Sequence, residues 1–289
     1  MITATTWLLL LSSAFGHLSR VSSKVFLTEC GSNNRSGVDF LGSYRGKETS
    51  PGQYPWVLAA LDCRDSLTRY IGGGSLIASS VVLSSVQVLR DTSEADLLVR
   101  AGEWNVSTTT EMYSHVDRPV KRIVRHEQFN NQNGDNDVAL LFLTLAFPAQ
   151  PNIRPVCLAE EPAAFGGVGC FYNGWGMEET NSLEYPNVLK KVTIIVKSNV
   201  SSISLSDNFI LGQATNRNIG CKGESGSPLV CPVPRNPNSF EQIGILICKD
   251  GRPSLFTNVA KFLPWINKQV EDIAQNDDYE TNSKNILVY

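Results

Sequence analysis

Cys221-Lys222-Gly223-Glu224-Ser225-Gly226-Ser227-Pro228-Leu229-Val230-Cys231 sets a serine in a glycine-rich turn between two cysteines. A serine hydroxyl attacks a carbonyl only when a neighbouring base takes its proton. The segment that bears on this question is Val82-Leu83-Ser84-Ser85-Val86-Gln87-Val88, and it holds no histidine. What the chain does depends on how these two stretches meet.

Around them, composition sets the bounds. A chain of 289 residues with 42% apolar content buries a full core, and one all-β domain of about 230–250 residues fits that length. The net charge is −3 and no basic cluster occurs, which argues against a nucleic-acid partner. Residues 1–16 hold a short apolar run followed by small residues up to Gly16, the pattern of a secretory signal peptide, although the usual positive charge at the start is missing. No later segment approaches the ~18 consecutive apolar residues of a membrane span. The expectation is a secreted, extracellular protein with no membrane partner. Seven cysteines without metal-ligand spacing and three histidines predict disulfides and no metal or other cofactor. Sequons at Asn34, Asn105 and Asn199 are candidate glycan sites on that route.

Short apolar or alternating runs recur between turn residues: 56–61, 75–83, 97–104, 120–124, 138–143, 192–196, 243–247 and 254–259. Rich in Val, Ile, Leu and aromatics, they predict an antiparallel all-β barrel or sandwich. Phe262, Ile266, Val270 and Ile273 then recur at helical spacing, so a terminal amphipathic helix is expected over Phe262–Ala274, with Pro264 near its first turn. Residues 275–289 read as a polar tail.

Motifs in order along the chain now carry a resemblance. Gly52-Gln53-Tyr54-Pro55-Trp56-Val57, Gly73-Gly74-Ser75-Leu76-Ile77, Asp135-Asn136-Asp137-Val138-Ala139-Leu140-Leu141, Asn173-Gly174-Trp175-Gly176 and the Ser225 turn resemble the chymotrypsin-type serine proteases, whose turn is written GDSGGP. The likeness runs from about Asp39 to Val270 and implies two six-stranded antiparallel β-barrels with a C-terminal α-helix. The domain layout that follows is a linker over 17–38 carrying Cys30 and a peptidase-like domain over 39–274. Finer details, Arg100-Ala101-Gly102-Glu103-Trp104-Asn105 and Asp117-Arg118 among them, are similar to arthropod masquerade-like serine protease homologues. Those kept the fold and usually lost catalysis, often within immune or developmental cascades. Many carry a six-cysteine clip domain; only Cys30 lies upstream of the barrel here, so none is expected.

Residue by residue, the resemblance implies a remnant triad. Ser225 takes the nucleophile position and Asp137 that of the orienting carboxylate. Gly223 and Ser225 supply the oxyanion amides, and Gln87 replaces the histidine. A glutamine amide has no useful basicity near neutral pH, and losing such a histidine costs roughly 10⁶ in kcat in the subtilisin example. His115 and His126 lie upstream of Asp137 in surface-like segments, as ordinary solvated histidines. Active relatives are cut after Arg or Lys, and the new α-amine buries itself against an aspartate just before the serine. Here no basic residue precedes the candidate apolar start at Val38-Asp39-Phe40-Leu41. Glu224 replaces the aspartate, and an extra methylene is expected to fit such a buried place poorly. At the pocket, Ile219 stands for the trypsin-like aspartate and Ser254 for a wall glycine. The Trp-Gly segment after Gly244-Ile245, where substrate adds as a strand, is missing.

The same resemblance pairs Cys30 with Cys157, Cys170 with Cys231 and Cys221 with Cys248. The bridge beside the catalytic histidine has lost both ends, at Gly72 and Val88. Cys63 is left over, either inert or available for a disulfide to a partner. The leading expectation is a secreted non-catalytic homologue that binds extracellular proteases, zymogens or inhibitors. The alternatives are a weak serine endopeptidase retaining Ser225 and Asp137, and a recognition protein for microbial or matrix ligands.

Overall fold

The computed structural model describes residues 30–38, 48–65, 67–160, 165, 167, 169–177, 185–197, 206–215, 221–234, 236–249 and 252–276. Six strands form the first barrel: β1 (Val57–Asp62), β2 (Arg69–Ala78), β3 (Val81–Ser84), β4 (Leu97–Ala101), β5 (Val116–Arg125) and β6 (Ala139–Leu143). They close in the order β1-β2-β3-β6-β5-β4. A four-residue helix, α1 (Val86–Leu89), follows β3, with Ser85 accepting from the Val88 amide as its N-cap.

The second barrel holds β8 (Gly169–Gly174), β9 (Lys190–Val196), β10 (Phe209–Ala214), β11 (Pro228–Val233), β12 (Asn236–Lys249) and β13 (Arg252–Asn258). Pairing of β11 with β12 closes it, and the two-residue β7 (Cys157–Leu158) adds parallel to β12. Helix α2 (Val259–Asn276) ends the described chain.

Strands β1, β2 and β3 each serve two cores, which explains why their sequence runs are apolar without a break. Along β1 all six residues are buried. Leu58 and Ala60 pack inside the first barrel with Leu76, Val99 and Leu141. Val57, Ala59 and Leu61 turn the other way, into the cluster between the barrels and α2 that contains Trp56, Ile77 and Phe171. Phe262, Ile266, Val270 and Ile273 seat α2 on that cluster. A third cluster, with Tyr172, Leu229 and Phe256, fills the second barrel.

Boundaries differ from the sequence pattern in four places. The run 75–83 is a hairpin rather than one strand, because Ser79 and Ser80 form the turn between β2 and β3. The strand expected over 97–104 stops at Ala101, since Gly102 takes φ +76°. The helix begins three residues before Phe262, directly from β13, so Pro264 lies inside it and removes one i→i−4 bond. Strands β8, β10 and β11 had no place in the run pattern. Disulfides join Cys30 to Cys157, Cys170 to Cys231 and Cys221 to Cys248, and Cys63 is free. Residues 1–16 and 277–289 lie outside the described residues. Of the linker, residues 30–38 pack firmly: the Phe240 amide donates to Gly31, the Val38 amide to Pro51, and Val38 is buried.

Candidate functional site

The Ser225 turn lies between the barrels. It is pinned to the first by the Gly73 amide, which donates to the Ser225 carbonyl at 2.9 Å. The Gly226 amide reaches back to Leu246 at 3.0 Å. Gly226 takes φ +84°, and a Cβ there would sit 2.3 Å from the Gly73 carbonyl oxygen. Only glycine permits both that conformation and that approach.

From the first barrel, α1 brings Gln87 to the serine. The Ser225 hydroxyl donates to Gln87 Oε1 at 3.1 Å. On its other side it accepts from the Cys248 amide at 3.3 Å. The hydroxyl proton is therefore held by an amide oxygen, and one lone pair is held by an N–H. Both arrangements weaken the oxygen as a nucleophile, because among the described residues neither hydrogen-bond partner can accept a proton and carry the charge.

Asp137 stands behind Gln87, which donates its backbone N–H to Oδ1 at 2.9 Å. The carboxylate is 1% exposed, and Oδ2 has no hydrogen-bond partner among the described residues. Burial pushes its pKa up to about 6, against the pull of the Gln87 and Val86 amides. The structure thus brings Ser225, Gln87 and Asp137 together in the order of a triad, but the contact to Asp137 runs through the glutamine backbone.

The two spare histidines are elsewhere. His126 is half-buried against Phe262 and Trp265 of α2, with ring centroids 5.4 and 5.0 Å away, and its pKa is lowered by burial. Its ring anchors the helix rather than standing in solvent as the sequence suggested. His115 Nδ1 pairs with the buried Glu103 at 2.9 Å.

On the cleft side, Leu246, Ile247 and Lys249 of β12 pair with Phe256, Leu255 and Arg252 of β13, with an irregularity in register between Ile247 and Lys249. The Tyr185 ring covers Gly223, the other oxyanion candidate; a Cβ on Gly223 would sit 2.8 Å from Tyr185 Cε1. Ser254 lies on β13, and Ile219 lies outside the described residues. The space beside Gly72 is already taken: a Cβ there would meet Val88 Cγ2 at 2.6 Å, the Ser225 carbonyl oxygen at 2.8 Å and Val88 Cγ1 at 2.9 Å.

Behind the turn, Glu224 points inward and is 1% exposed. Its longer side chain, expected to fit poorly, is accommodated because the facing residues are glycines. A Cβ on Gly174 would lie 1.7 Å from Glu224 Oε2, and one on Gly176 2.3 Å from its Cγ. The Gly176 amide donates to Oε1 at 2.9 Å, and Lys190 Nζ stands 3.9 Å from the same oxygen. Sequence reasoning missed Lys190. Its signal was the unusual pair Lys190-Lys191 opening an apolar strand.

Of the glycan candidates, Asn105 sits in a turn where its Oδ1 accepts from the Ser107 amide and hydroxyl, at 3.1 and 2.7 Å. Asn34 Nδ2 is committed to the Gly52 and Pro151 carbonyls, at 2.6 and 2.7 Å. A glycan there has to break one of those bonds. Asn199 lies outside the described residues. Among the described residues no cluster of His, Cys, Asp or Glu suits a metal ion, and no helix is long and apolar enough to cross a membrane.

Two β-barrels with a serine turn and a carboxylate at their junction define the chymotrypsin-like class of protein. The chain belongs to the trypsin family, whose model, described as Trypsin, matches residues 43–266. It is 34% identical over 272 residues to phenoloxidase-activating factor 2 of Galleria mellonella, covering 83% of this chain and 88% of that one. It is 29% identical to the inactive CLIP domain-containing serine proteases A28 and A8 of Anopheles gambiae. Those alignments cover 87% and 84% of this chain, and 70% and 72% of theirs.

Proposed function

We propose that this protein is a secreted, non-catalytic serine protease homologue that works by binding other components of an extracellular proteolytic cascade. One observation carries the reading: the Ser225 hydroxyl faces a glutamine oxygen and a backbone amide, at 3.1 and 3.3 Å, and no base. The Tyr185 ring packed against Gly223, one of the oxyanion candidates, supports it by crowding that end of the turn. Three disulfides and the apolar leader support secretion. Several relatives are named inactive, and one is named for phenoloxidase activation, which makes that cascade the first setting to test. The partners on this reading are proteases, zymogens or inhibitors.

A fluorophosphonate probe tests the reading directly. Purified protein is expected to stay unlabelled under conditions that saturate trypsin. Stoichiometric labelling that disappears in Ser225→Ala overturns it. Affinity capture from extracellular fluid, read by mass spectrometry, then tests the partner class, with a cascade protease or its inhibitor as the expected catch.

A further inference from the structure

Glu224 is a carboxylate buried in the turn that carries Ser225, and a buried carboxylate without a cation is strongly unfavourable. Its electrostatic surroundings come from four elements. Lys190 of β9 stands 3.9 Å from Oε1, the one cation acting on Glu224 among the described residues. Tyr70 of β2 and Tyr172 of β8 are phenols held neutral by burial and by the Glu224 charge. Ser227, in the same turn, has its hydroxyl 3.5 Å from Oε2. Lys190 is itself 4% exposed. Gly176 touches both charges through two successive peptides: its N–H donates to Glu224, and its carbonyl, in the next peptide, accepts from Lys190 Nζ.

The backbone fixes this lysine. Lys190 opposes Gly174 across the β8–β9 ladder, and its carbonyl accepts from Asn173 Nδ2 at 3.1 Å. On the other side it bridges to Glu48, with the Thr49 amide donating to Leu189 at 3.0 Å. The chain that enters the first barrel therefore runs alongside Lys190 while the side chain reaches the turn.

We propose that Lys190 is a built-in counter-ion for Glu224, holding the Ser225 turn in its final shape in the uncut chain and doing there what a cleavage-made α-amine does in active relatives. The binding surface around Ser225 is then set when the protein folds, and cutting the chain upstream of the barrel does not switch it. Lys190 is a positioning residue, and its role does not depend on whether Ser225 reacts. A failed probe experiment and a failure of this inference are therefore separate results.

The test is amide hydrogen exchange on the intact chain, read at Glu224, Gly226 and Ser227. These amides donate to Cys221, Leu246 and Glu224, at 2.9, 3.0 and 3.1 Å. Burial pushes Glu224 up to about 7, so measurements at pH 5 and pH 8, corrected for intrinsic exchange, bracket its ionisation. Lys190→Met is expected to speed exchange at these amides at least about tenfold at pH 8 and far less at pH 5. Lys190→Met/Glu224→Gln is expected to return to near wild-type protection at both. Unchanged protection in Lys190→Met at pH 8 overturns the proposal. So does an equal loss at both pH values that Glu224→Gln leaves in place, because that is what lost packing alone produces. If Lys190→Met does not fold, a folded double variant with protected amides supports the proposal, and a double variant that also fails overturns it. A specific protease site placed between residues 38 and 48 supplies the last arm. Cutting there is expected to leave the wild-type rates within about twofold, and a tenfold slowing on cutting overturns the inference.

Discussion

The turn between Cys221 and Cys231 has two faces, and they have been treated differently. Its outer face carries Ser225, whose hydroxyl meets an amide oxygen where a base is required. Its inner face carries Glu224, whose carboxylate meets a lysine, a backbone amide and two glycines cut to its shape. Chemistry needs one basic nitrogen on the outer face, and that is gone. Folding needs the inner charge neutralised, and that has been kept by other residues. The contrast teaches that the demands of chemistry and the demands of the fold fall on separate faces of one turn, so the scaffold answers to its own physical constraints.

The inner face is where a small change should do most harm. Gly174→Ala places a Cβ 1.7 Å from Glu224 Oε2 with a strand on either side. Overpacking of this kind should cost about 3 kcal/mol of unfolding free energy in denaturant titrations. Adding Glu224→Asp, which draws the carboxylate back by one methylene, should recover at least half of that loss. A Gly174→Ala protein within about 0.5 kcal/mol of wild type would break the comparison, because the fit behind the turn would then be loose.

Next in size is a gain at the border between the faces. The resemblance places a family bridge at Gly72 and Val88; the Val88 methyl groups fill most of the space a half-cystine at 72 needs, and the Ser225 carbonyl oxygen, 2.8 Å from a Cβ there, has to give slightly. The double change Gly72→Cys/Val88→Cys should form a disulfide and stabilise by about 2 kcal/mol, a little under the chain-entropy figure of roughly 3 for a loop near 15 residues. Thiol titration and the denaturation midpoint read it. A pair of free thiols in the purified protein would show that the backbone here has moved away from bridge geometry.

How far the sequence could carry this account depends on the kind of interaction. The helical stripe Phe262, Ile266, Val270 and Ile273 was legible because one face meets one core. Strand ends were harder: β3 is buried on both faces, so nothing in Val81-Leu83 marks where it parts from β2 except two serines. Ser225, Gln87 and Asp137 were readable from ordered motifs. Lys190 was not, because its meaning arises only from the ladder that sets Gly174 opposite it and from the turn that points Glu224 back. The role of His126 was likewise hidden until α2 placed Phe262 and Trp265 beside it.

A graded effect should appear with pH. Burial raises Glu224 from 4.5 to about 7 and Asp137 from 3.8 to about 6. A raised carboxyl holds its proton in the folded state after the unfolded chain has released it. Stability is therefore greater near pH 4–5 and falls as pH rises through about 7. The part due to Glu224 should be at most about 3 kcal/mol between pH 4.5 and pH 8. Glu224→Gln should remove that part and leave the Asp137 part, so a scan of midpoints from pH 4.5 to 8 separates the inner face from the outer. A flat wild-type profile would mean that Lys190 already offsets the burial of Glu224 in full.

The smallest effect in stability is the most telling for function. Gln87→His puts an imidazole on an exposed position of α1, beside the orphaned Asp137 Oδ2, and should change unfolding free energy by less than about 0.5 kcal/mol. The new ring would have the Ser225 hydroxyl within reach and, close by, the Asp137 carboxylate that binds the backbone of the same residue. Yet the Cys248 amide still binds the Ser225 oxygen, and Tyr185 still packs against Gly223. Gln87→His alone is therefore expected to give no turnover of peptide esters and no fluorophosphonate labelling. Labelling without turnover would narrow the defect to the cleft and leave the serine competent. Strong turnover from this single change would show that the outer face had lost only its base, and that the two faces of the turn are more alike than they look.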